Sequence, residues 1–160
     1  MGIFKKLFQT EKIEISSPVN GKIVPIENVS DPTFSEEMIG KGVAIKPYDG
    51  KFYAPEDGTL VALFPTGHAY ALTTTKGVEV LVHIGIDTVK LDGQFYTIHA
   101  KQGAEVKKGD LIVEVDLEGV RSTGFDIVTP VIISNSSNYS KIEKMEGEVK
   151  AGDTVVLLTE

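Results

Sequence analysis

The sequence contains no cysteine, so disulfides, thiolate nucleophiles and cysteine-bound zinc are all excluded. No apolar run approaches the roughly 18 residues that a membrane-spanning helix needs. The first eight residues also lack the apolar core of a secretion signal. Together these absences predict a soluble, cytoplasmic protein.

Several catalytic motifs are missing as well. The chain has no Gly-x-Ser-x-Gly turn for a serine nucleophile, no glycine-rich phosphate loop and no His-Glu-x-x-His zinc motif. With only three histidines in the chain, a zinc site would have to combine His68, His83 and Asp87, which is a minor alternative. We therefore predict no metal ion and no bound cofactor.

The charge balance is acidic. Sixteen lysines and arginines stand against 23 aspartates and glutamates, for a net charge of -7. Nucleic acid binding rewards clustered lysine and arginine, so no nucleic acid partner is expected. An acidic surface favours a protein partner with a basic face, because opposite fields speed the encounter.

A chain of 160 residues fits one domain. We expect residues 1–12 to form a flexible N-terminal segment and residues 13–160 to form that domain. The apolar side chains within residues 1–8 share one helical face, but so short a helix is marginal. At most a weak contact of this segment with a membrane surface is expected.

Short segments rich in Val, Ile, Thr and Phe, bounded by Gly, Pro, Asn or Asp, predict β-strands. Many short strands with frequent turns are typical of an antiparallel β-sandwich or barrel, so the predicted fold class is all-β in a single domain. Only short helical turns are expected, near Asp31–Ile39 and Ser136–Lys141. The predicted strands are Gly21–Ile26, Gly42–Ile45, Thr59–Phe64, Tyr70–Thr75, Val78–Ile84, Leu111–Val115, Val128–Ile133 and Thr154–Leu158.

Two pairs of similar segments predict internal pseudo-symmetry. Residues 17–23 (SPVNGKI) resemble residues 54–60 (APEDGTL), and residues 106–110 (VKKGD) resemble residues 149–153 (VKAGD). In each pair, turn-forming residues occupy matching positions beside an apolar strand. We interpret the pairs as related halves of one sheet system, with chance reuse of good turn residues as the alternative.

Two of the three histidines lie at the ends of a predicted hairpin over residues 68–83. A two-residue turn at Lys76-Gly77 would place His83 opposite Tyr70, and the histidines would be diagonal neighbours on one face. A turn at Thr75-Lys76 would place them directly opposite each other. The intermediate register would send their side chains to opposite faces of the sheet.

A pair of imidazoles on one hairpin suits phosphoryl transfer. Neutral imidazole, with an unperturbed pKa of about 6.5, is nucleophilic near neutrality. The transition state needs donors aimed at the phosphoryl oxygens, and a second imidazole can supply one N–H. The Thr66 hydroxyl can orient His68 and select its tautomer. Alternatively, His83 is a structural residue in an apolar run and His68 a solvated turn residue; His99 is interpreted as a surface residue.

Two motifs resemble those of a known family and occur in the same order along the chain. Residues 83–89 (HIGIDTV), together with residues 64–69 (FPTGHA), are similar to the glucose-type enzyme IIA component of the bacterial phosphoenolpyruvate-dependent sugar phosphotransferase system. The similarity covers nearly the whole chain. It includes residues 17–21 (SPVNG), 31–34 (DPTF), 40–45 (GKGVAI), 54–58 (APEDG), 109–110 (GD) and 129–132 (TPVI).

The resemblance implies an antiparallel β-sandwich that acts as a phosphocarrier, a phosphotransferase component in sugar uptake. It implies that Nε2 of His83 accepts the phosphoryl group, that His68 supports it, and that Thr66 orients His68. The donor would be the small phosphocarrier protein HPr, and the acceptor the IIB domain of a sugar permease. Both partners would dock on an apolar surface, to which the corresponding residues are Phe34, Ile39, Phe64 and Leu81.

Several of these positions have plainer alternatives. Phe34 and Phe64 would otherwise be core residues. Asp87 either orients a backbone loop or accepts a hydrogen bond from an arginine of the partner, and a simple turn carboxylate is the alternative. Gly67 and Leu81 stand where family members often carry a polar and an aromatic residue, which bears on partner preference and not on the chemistry.

A second functional interpretation is a regulatory binding module. Phosphorylation would change the charge of the same face and so switch its binding to transporters or metabolic enzymes. A zinc-dependent hydrolase and a lipoyl- or biotinyl-type carrier domain are further alternatives. The carrier is disfavoured because Lys144-Met145 precedes the nearby Gly-Asp turn instead of following it.

Overall fold

The computed structural model describes residues 11–160. The predicted membrane-surface contact of residues 1–8, and all but the end of the predicted flexible segment 1–12, lie outside the described residues. The first strand begins at Lys12. In the described part of the chain, no helix is both long and apolar enough to cross a bilayer.

β-strands are the main regular structure of residues 11–160 and the helices are short, which confirms the predicted fold class. The strands are β1 (Lys12–Ser16), β2 (Gly21–Val24), β3 (Lys41–Pro47), β4 (Lys51–Tyr53), β5 (Gly58–Leu63), β6 (Ala69–Thr74), β7 (Glu79–His83), β8 (Tyr96–Ile98), β9 (Glu105–Val106), β10 (Leu111–Val115), β11 (Thr129–Ile133), β12 (Lys141–Lys144), β13 (Gly147–Val149) and β14 (Thr154–Thr159). The α-helices are α1 (Pro32–Ser35) and α2 (Leu117–Ser122), and 3-10 helices cover Ile26–Asn28, Thr88–Leu91 and Ser136–Asn138.

The strands form three antiparallel sheets. The large sheet has eight strands in the order β13-β2-β3-β11-β7-β6-β5-β9, and the two small sheets run β1-β14-β12 and β4-β10-β8. One main core takes side chains from all three, among them Ile15 from the first small sheet, Phe52 from the second and Val82 from the large one. The sheets therefore pack face to face as a sandwich.

The centre of the large sheet is buried on both faces. All five residues of β11 are buried. Val131 and Ile133 belong to the main core, whereas Ile132 belongs to a second apolar cluster with Phe34 of α1 and Ile26 of the preceding 3-10 helix. Because both faces are covered, this strand has a continuous apolar run instead of an alternating one.

The two predicted helical turns are present. Pro32 is the first residue of α1, and the Asp31 side chain accepts a hydrogen bond from the Thr33 N–H at 2.9 Å, as an N-cap does. The helix is a single turn, and Glu37 follows it in the left-handed conformation with φ 54°. The predicted turn near Ser136 is the last of the 3-10 helices.

The sequence analysis missed α2, the 3-10 helices over Ile26–Asn28 and Thr88–Leu91, and six strands, namely β1, β4, β8, β9, β12 and β13. These strands have five residues or fewer, and several carry exposed charged residues, as in the Lys-Ile-Glu-Lys of β12. α2 begins after Asp116, whose side chain accepts a hydrogen bond from the Gly119 N–H at 3.1 Å. This N-cap is the local signal that could have identified the helix.

The predicted pseudo-symmetry is present in the order of the strands. From one edge inward, the large sheet has the order β13-β2-β3-β11, and from the other edge inward it has the corresponding order β9-β5-β6-β7. The two halves therefore meet between β11 and β7. The small sheets correspond in the same way, β1-β14-β12 to β4-β10-β8. One half is continuous, residues 51–115, and the other half, residues 12–47 and 129–159, surrounds it in the chain.

The repeated segments make the same contacts in each half. The residue before each Pro-x-x-Gly donates its backbone N–H to the Gly-Asp turn of the same half. The Asn or Asp that precedes the glycine accepts an N–H from that turn. The equivalent bonds are Ala54 N–H to Asp110 C=O (2.8 Å) with Ser17 N–H to Asp153 C=O (2.7 Å), and Lys108 N–H to Asp57 Oδ1 with Ala151 N–H to Asn20 Oδ1 (both 2.8 Å).

The glycine of this repeated segment is sterically required, and its replacement should destabilise the fold. A Cβ on Gly58 would lie 2.2 Å from the backbone carbonyl oxygen of Thr73 in the next strand. Gly58→Ala should therefore lower the free energy of unfolding by about 1–3 kcal/mol or more, measured by urea denaturation. Thr75→Ala, in the exposed loop after β6, should change it by less than about 0.5 kcal/mol. Equal stability of the two variants would contradict the predicted clash.

Candidate active site

β6 and β7 form the hairpin that carries the histidines, and its register differs from both predicted registers. Ala69 pairs with His83, and Tyr70 pairs with Val82. The loop has three residues, 75–77, and ends at Gly77 with φ 84°. Both predicted two-residue turns are wrong, because this loop is of the three-residue type that closes with a left-handed glycine.

The two histidine rings nevertheless meet. In the observed register, strand alternation alone would send His68 and His83 to opposite faces of the sheet. Their ring centroids are 5.1 Å apart, with an interplanar angle of 79°. His68 lies before β6 and follows Gly67, which has φ 76°, so its side chain does not obey the alternation of the strand. Its backbone carbonyl still accepts the Ile84 N–H at 2.6 Å, which keeps the two segments together.

The tautomer of His83 is set by a backbone carbonyl. Nδ1 of His83 lies 2.7 Å from the carbonyl oxygen of Gly85. Since a carbonyl only accepts hydrogen bonds, Nδ1 carries the proton and Nε2 of the neutral ring has the free lone pair. Gly85 has φ 88°, and a Cβ there would lie 2.5 Å from Cγ2 of Thr88. The hydrogen bond that selects the tautomer therefore depends on glycine at this position.

The surroundings of His83 keep the ring neutral and partly accessible. Burial lowers the pKa of His83, although the hydrogen bond to Gly85 and the carboxylates of Asp31 and Asp87 act in the opposite direction. The Phe34 ring packs against it with 5.0 Å between centroids. Since the lowered pKa makes the neutral form dominant at neutral pH, His83 can act there as a nucleophile.

His68 is more deeply buried, with 3% of its surface exposed. The Phe64 ring meets it edge-on, with centroids 5.1 Å apart. Burial lowers the pKa of His68 to about 4, and the neighbouring His83 contributes to the shift. Nδ1 of His68 is hydrogen-bonded to the Thr66 hydroxyl, as the spacing of the two residues suggested. His68 is therefore neutral at neutral pH, and its Nε2 is free of this bond.

The residues predicted to bind partners differ widely in exposure. Phe64 is 43% exposed and Ile39 is 39% exposed, whereas Leu81 is half-buried. Phe34 is 4% exposed and is part of the second apolar cluster. Asp87 is exposed and left-handed, with φ 60°, at the start of a 3-10 helix. Phe64 thus presents an exposed aromatic ring in contact with a histidine, and Phe34 supports the other histidine from the buried side.

The sequence analysis missed two residues that act on His83. Gly85 supplies the acceptor for Nδ1 of His83, and Asp31 acts on the pKa of the same ring. A glycine two residues after a histidine was an available signal for the first. The N-cap pattern identified Asp31 only as a helix start, because its proximity to His83 is a tertiary contact.

The third histidine lies elsewhere. His99 is exposed, with Nε2 3.1 Å from Oε1 of Glu114, which confirms its interpretation as a surface residue. Within residues 11–160, no three His, Cys, Asp or Glu side chains are grouped closely enough to hold a metal ion. The zinc-hydrolase alternative therefore has no ligand set in the described part of the chain.

Sequence comparisons relate the chain to a known family. Residues 13–139 match the family described as phosphoenolpyruvate-dependent sugar phosphotransferase system, EIIA 1. The chain is 43% identical to the glucose-specific EIIA component of Buchnera aphidicola and 44% identical to that of Haemophilus influenzae, in each case over 98% of both proteins. It is also 45% identical to a β-glucoside-specific EIIBCA component of Halalkalibacterium halodurans, over 93% of this chain but only 24% of that longer protein.

The fold leads to the same family. Glucose permease IIA from Mycoplasma capricolum superposes with a TM-score of 0.86 and 39% identity, over 94% of this chain and 97% of the other. The class of the protein is therefore a β-sandwich phosphotransferase component. The chain belongs to the EIIA 1 family of the phosphoenolpyruvate-dependent sugar phosphotransferase system.

The low pKa of His68 makes stability depend on pH in a defined direction. The folded protein should keep His68 neutral down to about pH 4, whereas the unfolded chain takes up this proton with a pKa near 6.5. Acid therefore favours the unfolded state, and the free energy of unfolding should fall as the pH drops from 6.5 towards 4. His68→Gln should remove this part of the slope. NMR titration of the ring nitrogens checks the pKa directly, and a value above 6.5 would contradict the burial argument.

Proposed function

We propose that the chain is a phosphocarrier in which Nε2 of His83 accepts a phosphoryl group from HPr and passes it to the IIB domain of a sugar permease. The observation that carries the proposal is the hydrogen bond from Nδ1 of His83 to the Gly85 carbonyl. It leaves Nε2 as the nitrogen with a free lone pair, which is the atom a phosphoryl acceptor needs.

The transfer needs no other covalent group on this chain. The Nε2 lone pair forms the nitrogen–phosphorus bond while the bond between phosphorus and the donor atom breaks, and the electron pair of that bond stays with the donor. The phosphorylated ring keeps its proton on Nδ1 and gains positive charge. Gly85, Asp31 and Asp87, which favour the protonated form of His83, stabilise this charge as well. Onward transfer returns the lone pair to Nε2.

His68 acts as the supporting donor to the phosphoryl group. A Thr66 hydroxyl that donates to Nδ1 places the ring proton of His68 on Nε2, and that N–H can donate to a phosphoryl oxygen. The rings are close enough for both to meet one phosphoryl group, with centroids 5.1 Å apart. A neutral His68 provides this bond without placing a second positive ring beside His83.

Apolar side chains provide the docking surface for both partners. Phe64 and Ile39 are its exposed members, Leu81 is half-buried, and Phe34 lies beneath His83. An apolar contact excludes water from the phosphoryl group and strengthens the electrostatic interactions around it. Asp87 and the net charge of -7 favour partners with a basic face.

A relative named as an EIIBCA component contains a region 45% identical to this chain, which supports a IIB domain as the acceptor. The functional unit is the domain of residues 13–160. We place it in the cytoplasm, since a chain without cysteine suits a reducing compartment.

Substitution of each histidine should separate their roles. With phosphoenolpyruvate, enzyme I and HPr, the protein should gain one acid-labile phosphoryl group by mass spectrometry, and His83→Ala should gain none. His68→Gln should still accept the group but pass it to a IIB domain roughly 100-fold more slowly, because a transition-state donor is displaced. His99→Ala is the matched control and should behave as the unmodified protein. Labelling of His83→Ala would remove His83 from the mechanism, and normal onward transfer by His68→Gln would remove His68.

Truncation of the exposed aromatic side chain should weaken docking. Phe64→Ala should raise the KM for phospho-HPr about tenfold, the effect expected for an interfacial aromatic residue, with a smaller change in kcat. Tyr48 is 56% exposed, and its hydroxyl contacts Glu148 on the edge strand β13, so Tyr48→Ala serves as the control and should leave the KM unchanged. The docking role of Phe64 is wrong if the two substitutions change the KM equally.

A further inference from the structure

The backbone carbonyl of Ile84, between His83 and Gly85, accepts hydrogen bonds from two side chains. The Thr88 hydroxyl donates to it at 2.7 Å and the Tyr96 hydroxyl at 2.8 Å. These bonds use both lone pairs of the oxygen. Ile84 is only 1% exposed, so water does not readily replace a lost donor.

Ile84 joins the two histidine segments. Its N–H donates to the backbone carbonyl of His68 at 2.6 Å. The carbonyl of Ile84 belongs to the peptide unit between Ile84 and Gly85. The next carbonyl, that of Gly85, accepts the hydrogen bond from Nδ1 of His83. A rotation of that peptide unit would therefore move the acceptor that sets the tautomer and direction of the His83 ring.

Tyr96 packs tightly against the segment of His68, and Thr88 packs tightly against the segment of His83. A Cβ added at Gly67 would lie 3.1 Å from Cβ of Tyr96, and one added at Gly85 would lie 2.5 Å from Cγ2 of Thr88. Thr88 is 1% exposed. Burial raises the pKa of Tyr96, so its hydroxyl stays protonated and able to donate.

We propose that Tyr96 and Thr88 are positioning residues for phosphoryl transfer. By fixing the Ile84 carbonyl, their hydroxyls hold the Gly85 acceptor in place and thereby keep Nε2 of His83 aimed at the incoming phosphoryl group. The inference rests on the proposed function of His83. Both residues act through the backbone and not on the reacting atoms, and a small misplacement of a nucleophile is enough to slow a transfer step.

Two conservative substitutions test the proposal. Tyr96→Phe and Thr88→Val each remove one donor with little change of shape. Each should slow phosphoryl uptake by His83 about fivefold, the effect expected for one lost hydrogen bond, and the double variant should be slower than either. In the unphosphorylated protein, NMR should show the His83 Nδ1–H signal shifted and its exchange with water faster. Thr88→Ser keeps the hydroxyl and should keep both the rate and the signal.

Tyr70→Phe is the matched control. The Tyr70 hydroxyl also donates to a backbone carbonyl, that of Tyr53, at 2.8 Å, and Tyr70 is buried. This variant should lose stability as Tyr96→Phe does, but it should leave the transfer rate and the His83 signal unchanged.

The outcomes separate this proposal from the proposed function. An unchanged rate and an unchanged His83 signal in Tyr96→Phe would overturn the positioning role, and so would equal effects of Tyr70→Phe. If the unmodified protein took up no phosphoryl group, the proposed function would fail. The His83 signal of the unphosphorylated variants would still decide whether the two hydroxyls hold the ring.

Discussion

A neutral histidine can act as a nucleophile only through the nitrogen that carries no proton, and in His83 the Gly85 carbonyl decides which nitrogen that is. The rest of the site depends on this hydrogen bond. Gly85 must be left-handed for its carbonyl to reach back to the ring, and β7 must end at His83 for the chain to turn there. The Phe34 ring packs against the same imidazole, with 5.0 Å between the ring centroids.

The two histidines are the same residue type in different surroundings, and this difference gives them different chemistry. His68 is almost fully buried, and among residues 11–160 only burial and the neighbouring His83 act on its pKa, which falls to about 4. For His83, Asp31 and Asp87 act against the effect of burial. The first ring is therefore suited to remain a neutral donor, while the second can accept positive charge when a group is added to Nε2. A single hairpin thus carries two imidazoles whose tasks are set by their neighbours.

The sequence predicted the elements whose signal is local. All eight predicted strands are present because β-branched residues between turn residues favour extended structure wherever they pair. β9 and β12 were missed because two to four residues with exposed charges have no such signal, and only pairing with β5 and β14 makes them strands. Each predicted hairpin register was wrong by one residue, because Thr75-Lys76-Gly77 is compatible with a two-residue loop and with a three-residue loop.

For the site as well, the sequence predicted the features that depend on local spacing and not those that depend on distant contacts. The contact of Thr66 with His68 followed from their spacing of two residues. The rings of His68 and His83 meet for a reason that the predicted registers did not contain, because the left-handed Gly67 takes His68 out of the strand alternation. The sequence left open whether Phe34 is buried and gave no sign of the effect of Asp31 on His83, because both arise from the packing of α1 on distant strands. A pattern of types and spacings identifies the reacting groups, but their protonation depends on contacts between remote parts of the chain.

The pairing of β11 with β7 joins the two halves of the large sheet within one subunit. Either half alone would end in an open strand at that position and would need a second copy to cover it. With both halves in one polypeptide, the pairing is intramolecular and holds at any protein concentration. It also frees the halves to diverge, so that one carries the histidine hairpin while the other contributes Phe34 and Asp31 beside His83.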